Sequence, residues 1–124
     1  MVQFKDILFV GLGSCLGGML RYVVSLAMRT PSGAFPWGTL TVNLLGSLLL
    51  GILWGAFSRI PGTSPALNLF LTVGFCGGFT TFSTFSKESV ALLQAGSIGL
   101  FFIYVGTSVI LGLIAAAFGF IAAR

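Results

Sequence analysis

Residues Gly74–Ser86 read GFCGGFTTFSTFS, and this stretch decides how the chain folds. Paired glycines followed by Thr and Ser residues disfavour a regular helix, although the segments on either side are apolar. Phenylalanines also recur at every third residue, at Phe79, Phe82 and Phe85. The stretch therefore predicts a break within an apolar helix, with aromatic rings beside the break.

The composition around this stretch predicts a membrane protein. The chain has 124 residues, of which 56% are hydrophobic and 6% are charged, and its mean hydropathy is +1.10. A soluble domain usually carries about a quarter charged residues, so lipid must be the solvent for most of this surface. Because one bilayer span needs about 20 apolar residues, the length allows about four spans. We expect a single transmembrane domain over residues 1–124, in contact with the lipid bilayer.

Four apolar segments fit this expectation, and short links rich in Pro, Gly and Ser connect them. The segments run from about Ile7 to Met28, Trp37 to Phe57, Pro65 to Leu93 and Ile98 to Ala123. The predicted fold is therefore an all-α membrane protein with four transmembrane helices, whose third helix is broken near its middle.

The basic residues give almost no signal for orientation. Four spans place both termini on one side of the membrane, and cytoplasmic loops normally carry the Lys/Arg excess. The two sides are nearly balanced: one has Lys5, Arg59 and Arg124, and the other has Arg29 and Lys87, with Arg21 within the first span. One interpretation is insertion in both orientations, with opposite copies pairing as an antiparallel homodimer. The alternative is a single fixed orientation with a weak bias.

Polar side chains inside the spans mark candidate functional positions, because such groups are costly in lipid. Asn43 and Thr39 are one turn apart and share a helix face. Asn43 either meets a ligand or forms a hydrogen bond between helices. Tyr104 and Ser108 share a face of the fourth span, which continues at Gly112 without a polar group. Their hydroxyls could lead an anion along the helix, or Ser108 could bond to its own backbone.

The charged residues near the spans exclude several functions. Arg21 either extends to the membrane interface or makes a water-filled vestibule positive. Glu88 lies near a helix end beside Lys87, so no acidic residue occupies the centre of a span. Cation export driven by a buried carboxylate is therefore a poor fit. The chain has no His and no paired acids, which argues against an enzyme, and its basic residues are too scattered for nucleic-acid binding.

The broken segment suggests two kinds of ion contact. An aromatic ring has a positive edge, so the edges of Phe82 and Phe85 could attract a small anion. Alternatively, these rings simply pack against lipid or neighbouring helices. Carbonyl oxygens freed by the break could bind a hard cation such as sodium, because irregular backbone at membrane depth needs partners.

Taken together, GGFTTFSTFS, Asn43 within GTLTVNLLG and Arg21 within GGMLRY resemble the Fluc (CrcB) fluoride channels of bacteria. The resemblance covers essentially the whole chain. It implies an antiparallel dimer with two fluoride pores and one central structural Na⁺. It also implies that Asn43 is a pore residue, and that Phe82 and Phe85 are pore rings that the dimer brings together from opposite subunits.

The resemblance extends to further residues. It implies that Tyr104 and Ser108 form a polar track, in which a Ser often stands where this chain has Gly112. Thr39 and Ser83 are matched to the fluoride pathway, and Arg21 and Glu88 to vestibule or accessory positions. It further implies that the backbone carbonyls of Gly77 and Thr80 hold the sodium ion.

The function implied by this resemblance is passive export of fluoride across the bacterial inner membrane, by a multi-pass channel that protects the cell. Two other functions stay open on the residues alone. A small multidrug exporter would also have four spans and dual topology, but it would depend on an acidic residue. A non-transporting membrane subunit or assembly factor would use Asn43 and the phenylalanines only for packing.

Overall fold

A computed structural model describes residues 3–124 of the chain. Within this range four helices are long and apolar enough to cross a membrane, which confirms the predicted spans. The elements are α1 (Phe4–Ala27), α2 (Trp37–Arg59), α3 (Pro65–Asn68), a π-helical segment (Leu69–Cys76), α4 (Gly77–Phe79), α5 (Ser83–Gln94) and α6 (Ile98–Ala123). The third span, Pro65–Gln94, comprises the elements from α3 to α5.

The links between the spans are short turns, each containing a glycine with a positive φ angle. These glycines are Gly33, Gly62 and Gly96, with φ angles of 84°, 82° and 78°. Only glycine adopts this left-handed conformation without steric cost. With a glycine in this conformation, each link reverses the direction of the chain within a few residues. Successive spans therefore alternate in direction across the membrane.

The closest packing joins alternate spans rather than sequence neighbours. A Cβ at Gly51 of α2 would overlap the Ala116 carbonyl of α6, and a Cβ at Gly17 of α1 would overlap the Phe75 carbonyl of the third span. Each of these glycines therefore lets two backbones approach closely. Helix α1 is parallel to the third span, and α2 is parallel to α6. In each pair, glycines that come later in one helix meet residues that come later in the partner.

The break in the third span lies a few residues after the paired glycines. Gly77 and Gly78 are still helical in α4, and the chain becomes irregular only at residues 80–82. Thr80 has extended backbone angles (φ −82°, ψ 162°). Gly78 serves packing instead, because a Cβ there would lie 2.6 Å from the Ser14 carbonyl oxygen of α1. The predicted break near the middle of the span is therefore confirmed, and its position is shifted toward the threonines.

The π-helical segment Leu69–Cys76 was not expected from the sequence. Longer π-helical stretches are rare, and short ones often occur at functional sites. This segment leads directly into α4 and the break, so the whole centre of the third span departs from regular α-helix.

The buried core of a single chain is small. Tyr104 and Leu92 are almost completely buried and contact Leu40, with Phe35 and Phe85 packed around them. Large apolar side chains are exposed along every span. Such an apolar surface has to be covered by lipid or by another copy of the protein.

Candidate functional site

A groove of about 360 Å³ opens beside the break in the third span. Residues from α2, the third span and α6 form its walls, and none of the lining residues is charged. The polar side chains lining it are Asn43, Ser47, Thr72, Thr80, Thr81 and Ser108, and the aromatic ones are Phe82 and Phe85. Six of the residues singled out from the sequence therefore meet here: Asn43, Gly77, Thr80, Phe82, Phe85 and Ser108.

Asn43 of α2 binds the irregular backbone at Thr81. Its Oδ1 accepts a hydrogen bond from the Thr81 amide at 2.7 Å, and its Nδ2 donates to the Thr81 carbonyl at 3.1 Å. This bidentate contact satisfies two backbone groups that the break releases from the helix. The interhelical hydrogen bond considered for Asn43 is thus present. A primary amide carries two N–H donors, so a second donor remains for the groove.

The break removes the usual helical donors of the Gly77 and Thr80 carbonyls. In a continuous helix the Gly77 carbonyl would accept from the amide of Thr81, and the Thr80 carbonyl from the amide of Thr84. The Thr81 amide donates to Asn43 instead, and the Thr84 amide donates to the Thr81 hydroxyl at 3.2 Å. The carbonyls of Gly77 and Thr80 are the two that the resemblance associates with sodium.

Arg21 of α1 lies against the other side of the break. Its Nε donates to the Gly78 carbonyl at 3.0 Å, replacing the amide that a continuous helix would have supplied from Phe82. Neither of the two roles considered from the sequence included this contact. The guanidinium therefore places a positive charge beside the irregular backbone, within the bundle.

The two phenylalanine rings differ in their surroundings. Phe82 is 79% exposed in the single chain, and its ring centroid lies 5.9 Å from that of Phe85. Phe85 is partly buried, and its centroid lies 5.1 Å from the ring of Tyr104. Phe85 is thus fixed by the core, whereas Phe82 projects from the broken segment and is largely exposed in the single chain.

Ser108 of α6 contributes a hydroxyl group that lacks a hydrogen-bond partner among the described residues. Its Oγ is buried. Bonding to its own helix, the alternative considered for Ser108, is therefore wrong, whereas the adjacent Thr107 does bond to the Ile103 carbonyl at 2.6 Å. A buried hydroxyl without a partner is unfavourable unless a water or an ion completes it.

Tyr104 does not share this groove with Ser108. It is fully buried, and its hydroxyl donates to Oε1 of Glu88 at 3.1 Å. Buried Thr39 also approaches the Tyr104 hydroxyl. These three residues form a separate polar cluster. Glu88 also lines a second cavity of about 190 Å³, which the link between α1 and α2 helps to enclose.

Ser83 lies near the rim rather than among the lining residues. It is exposed at the start of α5, and its Oγ lies 3.5 Å from the Thr81 Oγ1. The sequence reasoning did not select Ser47 or Thr81, which both line the groove. The spacing could have indicated Ser47, because it lies one turn after Asn43 on the same face of α2.

Comparison with known proteins gives consistent matches along almost the whole chain. Residues 8–120 match the family described as CrcB-like protein, Camphor Resistance (CrcB). A protein of Bacteroides fragilis named fluoride-specific ion channel FluC is 44% identical over 119 residues, which cover 93% of each chain. Proteins of the same name from Chlorobium chlorochromatii and Flavobacterium psychrophilum are 46% and 41% identical. These alignments cover 95% and 97% of this chain, and 92% and 98% of the relatives.

Proposed function

The chain belongs to the CrcB family, whose members are channels and not enzymes, and from that premise we propose that it is a fluoride channel. Fluoride leaves the cell passively, down its electrochemical gradient, and the cell is protected from fluoride toxicity. A membrane potential that is negative inside favours the exit of anions. Export therefore needs a selective path and no energy source.

One observation carries this proposal: the groove beside the break has no charged lining residue, and several polar residues line it, among them Ser108, whose buried hydroxyl has no partner among the described residues. Fluoride is small and strongly hydrated, so a path through lipid must replace its water with hydrogen-bond donors. Ser108 offers a hydroxyl proton, and Asn43 offers the amide proton that Thr81 does not use. A neutral lining binds the anion without holding it as firmly as a fixed positive charge would.

The rings complete the path in this proposal. The edges of Phe82 and Phe85 carry partial positive charge and attract a small anion weakly. Phe85 is held against Tyr104, so its position is fixed while an ion passes. Larger halides are excluded by the width of the passage and by the close spacing of donors.

The functional unit proposed here is an antiparallel, dual-topology homodimer with two pores in the inner membrane. Two features support it. Phe82 is 79% exposed beside the groove, so a second copy is needed to close the path. The basic residues are almost evenly divided between the two membrane faces, which suits insertion in both orientations.

A structural Na⁺ at the dimer centre is part of the proposal, and its candidate ligands are chemically suitable. Carbonyl oxygens are hard ligands of the kind that alkali and alkaline-earth cations prefer. The Gly77 and Thr80 carbonyls have lost the amides of Thr81 and Thr84, and Gly77 is exposed in the single chain. No cluster of three or more His, Cys, Asp or Glu side chains occurs among the residues described. The ion would offset the dipoles of carbonyls brought together from both copies.

Efflux from liposomes tests this function. The purified protein is reconstituted into vesicles loaded with potassium fluoride, and a fluoride electrode follows the external solution after a potassium ionophore is added. We expect rapid fluoride loss, and no chloride loss from vesicles loaded with potassium chloride. Empty vesicles with the same ionophore provide the control.

The same experiment separates the alternatives. Fluoride retention by vesicles that contain verified dimers would contradict the channel and favour a packing or assembly role. Proton-dependent uptake of a hydrophobic cation, together with fluoride retention, would favour a multidrug exporter. That second function lacks structural support, because Glu88 is engaged by Tyr104 and none of the residues lining the groove is acidic.

A further inference from the structure

The face of α6 that carries Ser108 continues at Gly112, which has no side chain. A hydroxyl group from α2 lies beside this position. Gly112 lies one turn beyond Ser108 on the same helix face. Apart from its chain neighbours and the nearby backbone of its own helix, an ideal Cβ built at Gly112 would have one heavy atom of the described residues within 4 Å, the Oγ of Ser47, at 3.9 Å. The hydroxyl of Ser47 therefore stands beside the place that a side chain at residue 112 would occupy.

Ser47 also belongs to the groove. It lines the same cavity as Asn43 and Ser108, and it lies one turn after Asn43 along α2. The groove thus combines an amide and a hydroxyl from α2 with the unpartnered hydroxyl of α6. Three residues with uncharged donors, from two helices, thus line one cavity that has no charged lining residue.

We propose that Ser47 is an anion ligand of the pathway and supplies from α2 the hydroxyl that α6 lacks at Gly112. The inference rests on the proposed function and adds a residue to its path. Ser47 and Ser108 donate to the same small, strongly hydrated anion from facing helices. One hydroxyl would leave such an anion under-coordinated, whereas two replace more of its lost water.

The first test replaces Ser47→Ala and measures fluoride efflux from ionophore-treated vesicles. Because a hydrogen bond to an ion is stronger than one between neutral groups, we expect the efflux rate to fall by about tenfold or more. Ser58→Ala is the matched control, because Ser58 lies on the same helix and donates to its own backbone at Gly55 at 2.7 Å. That variant keeps the wild-type rate.

The second test moves the hydroxyl to the other helix. In Ser47→Ala, Gly112→Ser the new side chain has room, because the nearest atom to its Cβ in the wild type is the Ser47 Oγ itself. We expect this double variant to recover most of the lost rate. A role of Ser47 in helix packing alone would not be rescued by a hydroxyl on α6.

The outcomes are distinguishable. An unchanged rate in Ser47→Ala, in protein that elutes as the wild type does in size-exclusion chromatography, overturns the role of Ser47 and leaves the channel function intact. Loss in Ser47→Ala without recovery in the double variant also overturns it. Fluoride retention by wild-type vesicles rejects the proposed function, and the role of Ser47 with it.

Discussion

Asn43→Asp is the substitution that most directly tests whether the groove is the ion path. Asn43 binds the Thr81 amide through Oδ1 and the Thr81 carbonyl through Nδ2, at 2.7 and 3.1 Å. An aspartate keeps the first bond, since a carboxylate oxygen also accepts from an amide. It loses the second bond and places a negative charge at the groove wall.

The magnitudes show which effect dominates. Leaving the Thr81 carbonyl without a donor costs about 1–3 kcal/mol of stability. A negative charge about 4 Å from a passing anion costs about 4 kcal/mol at an effective dielectric constant of about 20. Since each 1.4 kcal/mol corresponds to about a factor of ten, the repulsion alone lowers anion occupancy about 1000-fold. We therefore expect the protein to fold and fluoride efflux to be abolished.

The assay is ionophore-driven fluoride efflux at about pH 8, which favours the ionised form of a carboxyl. Asn68→Asp is the matched control, because Asn68 is the other asparagine of the chain and is exposed near the start of the third span. Its Oδ1 accepts from the Thr72 hydroxyl, at 3.1 Å, and a carboxylate keeps that role. The control retains wild-type efflux.

The refuting result is equally clear. If folded Asn43→Asp protein conducts fluoride within about tenfold of the wild-type rate, a charge-sensitive anion does not pass Asn43. The groove would then be a packing defect between helices rather than a pathway.

Three further predictions concern the rings, the break and the helix packing. Phe82→Ile and Phe85→Ile should each greatly slow fluoride efflux. Phe82→Ile should leave the free energy of unfolding of the single chain unchanged, because that ring is 79% exposed. Normal efflux in both variants would remove the rings from the mechanism. Arg21→Met leaves a backbone carbonyl at the break without its donor, and should lower the free energy of unfolding by about 1–3 kcal/mol, measured in detergent; equal stability would show that the contact contributes nothing. Gly51→Ala should destabilise the protein by about 1–3 kcal/mol because its Cβ meets backbone of α6. Gly99→Ala should not, because its Cβ would meet no atom of the other described residues within 4 Å outside the nearby backbone of its own helix.

The sequence by itself determined the membrane environment, the number of spans and the existence of the break. The predicted third span, Pro65 to Leu93, and the observed one, Pro65–Gln94, differ by one residue at one end. Hydropathy and backbone propensity are local properties, so they can be read from neighbouring residues. Asn43, Phe82, Phe85 and Ser108, which the sequence and the resemblance to a known family had singled out, all line the same groove.

Only the tertiary structure decided how the break is held and which hydroxyls face the groove. Arg21 reaches Gly78 across 57 positions of the chain, and Asn43 reaches Thr81 across 38. Tyr104 turns to Glu88 instead of continuing the track with Ser108. Side-chain partners at such separations depend on which helices pack together and in which register. Here that register follows from the close approach of two backbones at glycines such as Gly51, which local sequence patterns do not specify.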